Sequence, residues 1–444
     1  MTVFWVDAPS PFGSGSDSND GLSEGAPKAT WAAGFTLLAA GSAGDELRII
    51  KRDGHTYRPT GTATFYITTS GDGASGNRKR VRGWYKGGPA VGWYDKPVLN
   101  GYDYVGSGSS SRAISFKASH WNFEDLKFIN WNEPYLGSSQ TVCDSYNVST
   151  TITDIDWLRC IWMWNSASSI GVSGENGICN NIRIAYCDSF YNSNVNDFEN
   201  TDGFNLYGYQ TGPGCSGTGN MLEYCRMAYN ADDGFDCFEW PDPITIRYNW
   251  AWKMGFLPDG SVSTTPGDGN GIKLGGAIAV AHDTIGNMSV ENAAGGFDNN
   301  ANAGAIEYYN NTAHNCGGTE FLLNNSGGSG AIVRNNLLFT GTQSTPPGAT
   351  VDNNSWNDAT VTAADFLATT LVGLDAERET NGDMPIAQYL RLTAGSDCID
   401  AGTTGGLIPF NDLGCFEYLA AAAYVQTDYQ FLADNGSGGL GPPP

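Results

Sequence analysis

Short apolar stretches that end in a polar corner recur along most of the chain. Segments such as Phe123–Leu126, Ile182–Ile184 and Ile244–Ile246 alternate apolar and polar residues, which is the pattern of β-strands. Each repeat is too short to hold an α-helical crossover between parallel strands. Irregular spacing with similar corners is typical of a solenoid whose coils differ in loop length. The pattern therefore predicts an all-β fold, a single-stranded parallel β-helix.

One residue of each repeat marks the corner. These residues are Asn130, Cys160, Cys187, Cys225, Asn249, Asn287, Asn310 and Asn335. Asparagine tolerates a left-handed backbone, and its amide can hydrogen-bond up and down a ladder. Cysteine is expected to act there as a small, inert hydrophobe. We therefore expect these side chains to stack on successive coils, about 4.8 Å apart.

The ends of the chain differ from its centre, and the pattern divides the sequence into four regions. Residues 1–118 are expected to form an N-terminal cap and the first coils, and residues 119–340 the central β-helix that carries the site. Residues 341–418 are expected to form less regular C-terminal coils, followed by a tail at 419–444.

Specific elements are expected at both ends. Ala29–Ala40 predicts a capping helix and Leu47–Ile50 a first strand, while Ser396–Gly402 and Asp412–Tyr418 predict a closing strand pair. The tail ending at Asn435–Pro444 is rich in glycine and proline and is expected to be flexible. Its candidate partners are a second copy of the chain or a virion protein.

The amino-acid composition excludes several classes of protein. The 444 residues include 47 acidic and 23 basic side chains, for a net charge of −24, which excludes a sequence-blind nucleic-acid binder. No apolar run is long enough to span a bilayer, and the chain does not open on a secretory signal. Ten cysteines without a C-x-x-C pair argue against a structural zinc site and define no disulfide framework. The basic run Arg78–Arg82 is expected in a solvated loop, with contact to an acidic polymer as the alternative.

A strand motif that is repeated in four coils defines a second set of equivalent positions, more clearly than the corner residues do. Its copies are Gly203-Phe204-Asn205-Leu206, Gly234-Phe235-Asp236-Cys237, Gly271-Ile272-Lys273-Leu274 and Gly296-Phe297-Asp298-Asn299. Because strand side chains alternate, the apolar residue after each glycine points into the core. The next residue projects outward, so we expect a single file of Asn205, Asp236, Lys273 and Asp298, one strand spacing apart.

Acidic residues lie immediately before these glycines. Together with the file, they predict that four carboxylates converge, those of Asp202, Asp232, Asp233 and Asp236. Such a cluster repels itself strongly without a cation. Oxygen ligands with no nearby His or Cys favour Ca²⁺ over zinc.

Longer loops around residues 193–200 and 255–270 are expected to form walls beside the acidic file, because loops on a rigid scaffold often carry binding residues. Asn205, Asn270 and Asp298 are the candidate substrate-binding residues of this cleft.

Lys273 is the candidate catalytic base, since it is the one cation in the file. The alternative is a salt bridge to Asp236 or Asp298 that only neutralises the ladder. A nearby Ca²⁺ would lower the lysine pKa from about 10.4, whereas the carboxylates would raise it.

The chain resembles the pectate lyases of polysaccharide lyase family 9. The motifs that carry this resemblance are Asn200-Thr201-Asp202-Gly203-Phe204, Asn230-Ala231-Asp232-Asp233-Gly234-Phe235-Asp236, Gly267-Asp268-Gly269-Asn270-Gly271-Ile272-Lys273-Leu274-Gly275 and Gly296-Phe297-Asp298-Asn299-Asn300. The resemblance is clear from about residue 120 to 340 and absent from the last 25 residues. Phe235 and Ile272 depart from the family pattern, but both are interior positions.

The resemblance implies a right-handed parallel β-helix and an extracellular enzyme that acts on an acidic polysaccharide. It places Asp202, Asp232, Asp233 and Asp236 on the family's calcium ligands and Lys273 on its Brønsted base. The implied reaction is β-elimination at a uronic acid, as in pectate, in which the base takes the C5 proton and the oxygen at C4 departs.

Two alternatives stay open. β-Helical polygalacturonases, which are hydrolases, also use an Asn-Thr-Asp segment and an Asp-Asp pair, but this chain has no Gly-His-Gly. The other alternative is a non-catalytic or virion-associated carbohydrate-binding β-helix, although all five candidate site residues are present.

Overall fold

The protein is described here by a computed structural model. It describes residues 1–59, 71–101, 113–115, 117–131, 141–148, 151–175, 177–194, 198, 200–208, 215–263, 267–323, 330–379 and 382–418. The tail at 419–444, with its expected flexibility and partners, lies outside the described residues.

The described elements are almost entirely short strands. In chain order they are β1 (Val3–Val6), α1 (Trp31–Ala40), β2 (Glu46–Ile50), β3 (Lys79–Tyr85), β4 (Gly88–Pro89), β5 (Val98–Asn100), β6 (Ile114–Ser115), β7 (Trp121–Glu124), β8 (Lys127–Ile129), β9 (Thr141–Val148), β10 (Thr151–Leu158), β11 (Ile161–Met163), β12 (Ser168–Glu175), β13 (Ile178–Ala185), β14 (Asp188–Phe190), β15 (Phe204–Leu206), β16 (Asn220–Glu223), β17 (Arg226–Ala228), β18 (Phe235–Asp236), β19 (Ile244–Arg247), β20 (Trp250–Trp252), β21 (Ile272–Lys273), β22 (Asp283–Ile285), β23 (Met288–Val290), β24 (Phe297–Asp298), β25 (Glu307–Tyr309), β26 (Thr312–His314), β27 (Phe321–Leu322), β28 (Ile332–Arg334), β29 (Leu337–Leu338), β30 (Gln343–Ser344), β31 (Thr350–Asp352), α2 (Ser355–Asp358) and a 3₁₀ helix (Ala363–Asp365).

These strands form three parallel sheets. Sheet A has the order β1-β2-β3-β7-β10-β13-β16-β19-β22-β25-β28-β31, with β4 antiparallel to β3. Sheet B has the order β5-β8-β11-β14-β17-β20-β23-β26-β29, and sheet C the order β6-β9-β12-β15-β18-β21-β24-β27-β30. From β7 to β30, each described coil contributes one strand to sheets A, B and C in turn. This arrangement is a parallel β-helix, as the alternation pattern predicted.

Aromatic side chains stack along the interior. Phe123 of β7 lies on Trp157 of β10 with ring centroids 4.2 Å apart, and Phe297 lies on Phe321 of the next coil at 5.0 Å. Each such ring, once fully buried, contributes about 1.5–3 kcal/mol. Ile184, Leu222 and Ile246 occupy the position of Trp157 in the following coils, so aromatic and aliphatic side chains together form one continuous core along the helix.

The capping helix closes one end of this core, as expected, although α1 begins at Trp31 rather than Ala29. The Thr30 side chain accepts a hydrogen bond from the Ala33 N–H and caps the helix. Trp31 meets the ring of Phe128 inside the first coils. Within the described residues, no helix is both long and apolar enough to cross a membrane.

The basic run does not form a solvated loop. Lys79 is buried, and its Nζ donates to the carbonyl of Ala39 in the last turn of α1 at 2.9 Å. The guanidinium of Arg82 donates through Nε to Glu124 on the neighbouring strand at 2.9 Å. These β3 side chains therefore bind structural partners on α1 and β7, and the expectation of a solvated loop is wrong.

The corner ladder exists, but three of its expected members are wrong. The stacked positions after sheet A are Cys160, Cys187, Cys225, Asn249, Asn287, Asn311, Asn336 and Asn354, because their register follows the pairing of sheet B. From Cys225 onward, each backbone N–H donates to the asparagine Oδ1 of the next coil at 2.9–3.0 Å.

Asn310 and Asn335 instead occupy the position before the ladder, where the backbone is left-handed with φ of 52° and 57°. Two consecutive asparagines share one corner, and only the second stacks. Asn130 lies at the other corner, between sheets B and C, and also has a positive φ. Its amide donates to Asn100 rather than joining the predicted ladder.

Other local expectations also need correction. The first strand is β1, which pairs in parallel with β2, so Leu47–Ile50 belongs to the second strand. The Phe123–Leu126 segment leaves the strand after Glu124, because Asp125 turns the corner with φ of 59°. The segments expected to form a closing strand pair, Ser396–Gly402 and Asp412–Tyr418, contain no strand among these described residues: the first forms turns and the second bends and irregular backbone.

The C-terminal segment, defined as residues 363–379 and 382–418, covers the outer face of sheet B. Phe416 meets the ring of Trp250, and the Cys415 N–H donates to the Thr312 hydroxyl at 2.9 Å. A second hydrophobic cluster forms between this segment and outward residues of sheet B, including Ile161 and Phe190. Sheet B is therefore buried on both faces.

A buried charge cluster ties this segment to the coils. Asp188 of β14 accepts hydrogen bonds from the guanidiniums of Arg226 and Arg378, at 2.7 and 2.8 Å. Arg226 also donates to the carbonyl of Ala376 at 2.6 Å. Burial alone raises the pKa of Asp188, but the two guanidiniums outweigh it and hold the pKa below its ordinary value.

We expect Asp188→Asn to lower the free energy of unfolding by about 3–5 kcal/mol, because it leaves two buried guanidiniums without their anion. The depressed pKa of Asp188 means that its contribution is present at neutral pH and is lost as pH falls through its folded-state value. Urea unfolding at pH 7 and in mild acid measures both effects.

Asp53→Asn is the matched control, since Asp53 makes an exposed ion pair with Lys51. It should leave the unfolding midpoint unchanged. Equal midpoints for the wild type and Asp188→Asn would contradict the structural role of this cluster.

Candidate active site

Sheet C aligns the repeated motif in one file. Asn205 pairs with Asp236, Asp236 with Lys273, and Lys273 with Asp298 on adjacent strands. The preceding apolar residues are fully buried: Phe204, Phe235, Ile272 and Phe297. A Cβ on Gly234 would lie 2.3 Å from the Gly271 carbonyl oxygen, so glycine permits the close approach of these coils. The four expected residues therefore lie side by side on the outer face of sheet C.

Three aspartates meet at this file. Carboxylate oxygens of Asp202, Asp233 and Asp236 all lie within 4.8 Å of one another, and all three residues are buried. Asp202 and Asp233 lie just before Gly203 and Gly234, while Asp236 lies in β18. We call these three residues the acidic cluster.

Asp232, the fourth expected carboxylate, lies beside the acidic cluster rather than within that distance. Its two oxygens accept backbone N–H groups of Asn200 at 2.7 Å and Asp268 at 2.6 Å. Asp232 thereby joins the loop before β15 to the described part of the longer loop before β21. From that longer loop, the Ser263 hydroxyl donates to the Ala231 carbonyl at 3.0 Å, and the Asn270 N–H donates to Asp233.

Hydrogen bonds orient the cluster. The hydroxyl of Tyr207 donates to Asp202 Oδ2 at 2.7 Å, and the Asn205 amide donates to the same oxygen at 3.2 Å. Asn270 donates to Asp233 Oδ1 through its backbone N–H at 2.6 Å and its side-chain amide at 3.1 Å. Asn205 and Asn270 are buried, so their amides hold carboxylates in place.

Lys273 points its amine at the carboxylates. Its Nζ lies 2.7 Å from Asp268 Oδ2, 3.0 Å from Asp233 Oδ2 and 3.5 Å from Asp236 Oδ2. Only 11% of its side chain is exposed, and the Phe238 ring lies 6.0 Å from Nζ. The ion pair with Asp236 expected under the neutralising alternative is thus present.

Asp298, on the other side of Lys273, is half-buried and accepts the Asn300 N–H at 2.7 Å. Asp268 and Tyr207 also belong to the site, although the sequence pattern did not predict a role for either residue. Asp268 lies five residues before Lys273, and the loop brings it back to the amine. Tyr207 follows Asn205 by two residues, so strand alternation places both on one face, and this spacing could have revealed it.

The site carries an excess of negative charge in a buried setting. Burial and the Asp233 carboxylate raise the pKa of Asp202 to about 6. Burial is also the main cause of the raised pKa values of Asp232, Asp233 and Asp236. Burial lowers the pKa of Lys273, but Asp233, Asp236 and Asp268 outweigh it and raise this pKa above its ordinary value.

The donor set fits a hard divalent cation. All candidate ligand atoms of the acidic cluster are carboxylate oxygens, which Ca²⁺ prefers. Among the described residues, Asp236 Oδ1 is one of the buried oxygen atoms that have no hydrogen-bond partner. A buried acceptor without a donor is costly unless something positive satisfies it. The cluster therefore offers the oxygen ligands that Ca²⁺ prefers, and one of these oxygens needs a positive partner.

The fold and site together define a parallel β-helix protein with an acidic, lysine-containing site on one sheet. The chain belongs to the family described as the Pel9A-like, right handed beta helix region, whose model matches residues 12–336. This confirms the family resemblance and the right-handed β-helix expected from the motifs.

Relatives support this assignment. The chain is 36% identical over 208 residues to a pectate lyase L of Dickeya chrysanthemi, covering 45% of this chain and 48% of that protein. It is 31% identical over 330 residues to a pectate lyase L of Paenibacillus polymyxa (strain SC2), covering 71% and 69%. The chain thus spans about half the length of the Dickeya relative.

Two solved structures share the fold. One is pectate lyase Pel9A, with a TM-score of 0.74 and 23% identity over 94% of this chain and 96% of that chain. The other is a rhamnogalacturonan lyase, with a TM-score of 0.71 and 22% identity over 89% and 97%.

We expect Asp236→Asn to raise the free energy of unfolding by about 1 kcal/mol in the presence of a chelator. The substitution removes one of three buried like charges while keeping the shape of the side chain. Thermal unfolding in a chelating buffer measures the change. Asp188→Asn is the matched comparison, because the same substitution beside two guanidiniums should destabilise. A loss of stability in both variants would contradict the repulsion inferred for the acidic cluster.

Proposed function

We propose that this protein is a calcium-dependent polysaccharide lyase that cleaves a uronic-acid polymer, such as pectate, by β-elimination with Lys273 as the base. The observation that carries the proposal is the amine of Lys273 held within 3.5 Å of two members of the acidic cluster. Relatives named pectate lyase L and the shared fold with a rhamnogalacturonan lyase support this class of reaction.

Asp202, Asp233 and Asp236 would hold the Ca²⁺, with Asp232 beside them. When bound, the cation would neutralise the uronate carboxylate and make the C5 proton more acidic. The bound cation would also reduce the repulsion between protein and substrate, because a protein with a net charge of −24 repels an anionic polymer.

Lys273 provides the proton acceptor. In the elimination, the C5–H bond breaks and its proton passes to the neutral amine at Nζ. The electron pair forms the C4–C5 double bond, and the C4–O bond breaks with its electrons on the leaving oxygen, which takes a proton from water. The carboxylates that raise the pKa of Lys273 are also the candidate cation ligands. A cation bound by these carboxylates would offset their negative charge. The pKa of Lys273 would then fall, and its amine could lose the proton.

Other residues of the site shape the cleft. Asn205 and Asn270 fix the directions of the Asp202 and Asp233 carboxylates, and we propose that Asn205, Asn270 and Asp298 also contact the sugar. Asp298 borders Lys273 on the adjacent strand. Because a polyuronate is too large to cross a membrane, we place the reaction outside the cell.

Calcium should stabilise the folded protein through the acidic cluster. At a Ca²⁺ concentration of 100 Kd, the expected gain is about 2.7 kcal/mol. Asp233→Asn should abolish this gain, and Tyr207→Phe should weaken the affinity about 10–100-fold, because it removes the donor that orients Asp202. Thermal unfolding across a CaCl₂ titration gives both values.

Asp259→Asn serves as the control, since Asp259 lies on an exposed turn of the longer loop. It should keep the full calcium response. A response of wild-type size in Asp233→Asn would place the cation elsewhere.

Loss of the amine should abolish turnover. We expect Lys273→Ala to lower kcat on polygalacturonate about 10²–10⁴-fold. Lys273→Arg should fail to a similar degree, because a guanidinium keeps the charge but does not give up its proton near neutral pH. The readout is the ultraviolet absorbance of the unsaturated product, followed with Ca²⁺ and with a chelator.

Lys253→Ala is the matched control, because Lys253 follows β20 and pairs with Glu291 instead of the acidic cluster. It should retain activity. Elimination that survives Lys273→Ala would remove the base assignment, and reducing ends released without the absorbance would indicate a hydrolase.

A further inference from the structure

A pair of buried thiols lies outside the acidic site. Cys179 of β13 and Cys215 are both fully buried, and their Sγ atoms are 3.1 Å apart. The two residues are 36 positions apart in the chain, yet adjacent coils bring them together. We infer that Cys179 and Cys215 form a disulfide bond in the oxidised protein, a covalent cross-link between two coils.

The surrounding backbone holds both residues in place. The Cys179 N–H donates to the Ser216 carbonyl at 2.7 Å, and the Ser216 N–H donates to the Gly177 carbonyl at 3.1 Å. Asn220 donates through one amide to the carbonyls of Cys179 and Gly217. The chain that follows Cys215 is therefore fixed beside β13 on both sides of the thiol pair.

Gly217 makes this approach achievable. A Cβ at this position would lie 2.1 Å from the Cys179 carbonyl oxygen, and the φ of Gly217 is 147°, in the range that favours glycine. Only about 1 Å separates the observed Sγ distance from a disulfide of about 2.05 Å. Small side-chain rotations close such a gap.

Three other cysteines stack on the corner ladder. The thiols of Cys160, Cys187 and Cys225 contact one another there and also donate to backbone carbonyls, at 3.3–3.6 Å. At the proposed pair, one thiol donates to the other sulfur, and this contact lowers the pKa of Cys215. Cys215 is thus the sulfur suited to attack.

The chemistry balances with a small-molecule disulfide as the oxidant. The Cys215 thiolate attacks the oxidant and releases one thiol, forming a mixed disulfide. The Cys179 sulfur then attacks the Cys215 sulfur and releases the second thiol. Two protein thiols are oxidised, one external disulfide is reduced to two thiols, and the two protons pass to those thiols. Because both sulfurs are buried in the folded protein, exchange proceeds as the coils assemble or open.

The test begins with the full chain refolded in a glutathione redox buffer, alkylated under denaturing conditions without reductant. Mass spectrometry should find two fewer alkylated thiols than the ten cysteines of the chain, and peptide mapping should join the peptides of Cys179 and Cys215. Alkylation of all ten cysteines, or a bond between other partners, would overturn the inference.

A stability measurement provides the second arm. Reductant should lower the thermal midpoint of the oxidised wild type by about 3–8 °C, because opening the cross-link frees the unfolded chain. Cys215→Ala should show no further drop with reductant, whereas Cys316→Ala, which leaves the pair intact, should respond as the wild type. Reductant sensitivity that persists in Cys215→Ala would also overturn the inference.

Discussion

Parallel, in-register stacking of short strands is the constraint on which the structure depends. Because each coil repeats the path of the previous one, a residue meets its equivalent about one strand spacing away. This geometry favours identical apolar rings, as in Phe297 on Phe321, and asparagines that bond to one another, as in Asn249 on Asn287. It penalises like charges in the same file. Folding alone therefore does not account for an acidic cluster in such a stack, whereas the proposed binding of a cation does.

Two buried aspartates show this contrast. Asp188 meets two guanidiniums, and its pKa falls below the ordinary value. Asp236 meets other carboxylates and one amine, and its pKa rises. The first arrangement joins the C-terminal segment to sheet B and stabilises the fold. The second stores electrostatic strain, which a divalent cation would relieve at the place where the proposed reaction needs positive charge. The partners of each buried carboxylate therefore distinguish its role: Asp188 with its guanidiniums is structural, whereas Asp236 among carboxylates is a candidate cation ligand.

The sequence was sufficient to predict the parallel β-helix and the outward file, because glycine, an apolar residue and a polar residue repeat with the two-residue period of a strand. It could not separate Asn310 from Asn311, since both residues suit a corner and the strand register of the folded protein decides which one stacks. The path of the C-terminal segment across sheet B depends on contacts between distant residues, which leave no periodic signal. Asp268 was not predicted as a site residue for the same reason, because a loop rather than a strand brings it to Lys273.

The most direct test of the account is a crystal structure of the Lys273→Ala protein with Ca²⁺ and a trigalacturonate bound. The account predicts one ion held by Asp202, Asp233 and Asp236, a uronate carboxylate on that ion, and the C5 hydrogen of the same sugar facing the space left by the amine. An ion bound away from these aspartates, or a sugar whose C5 hydrogen faces away from position 273, would contradict it.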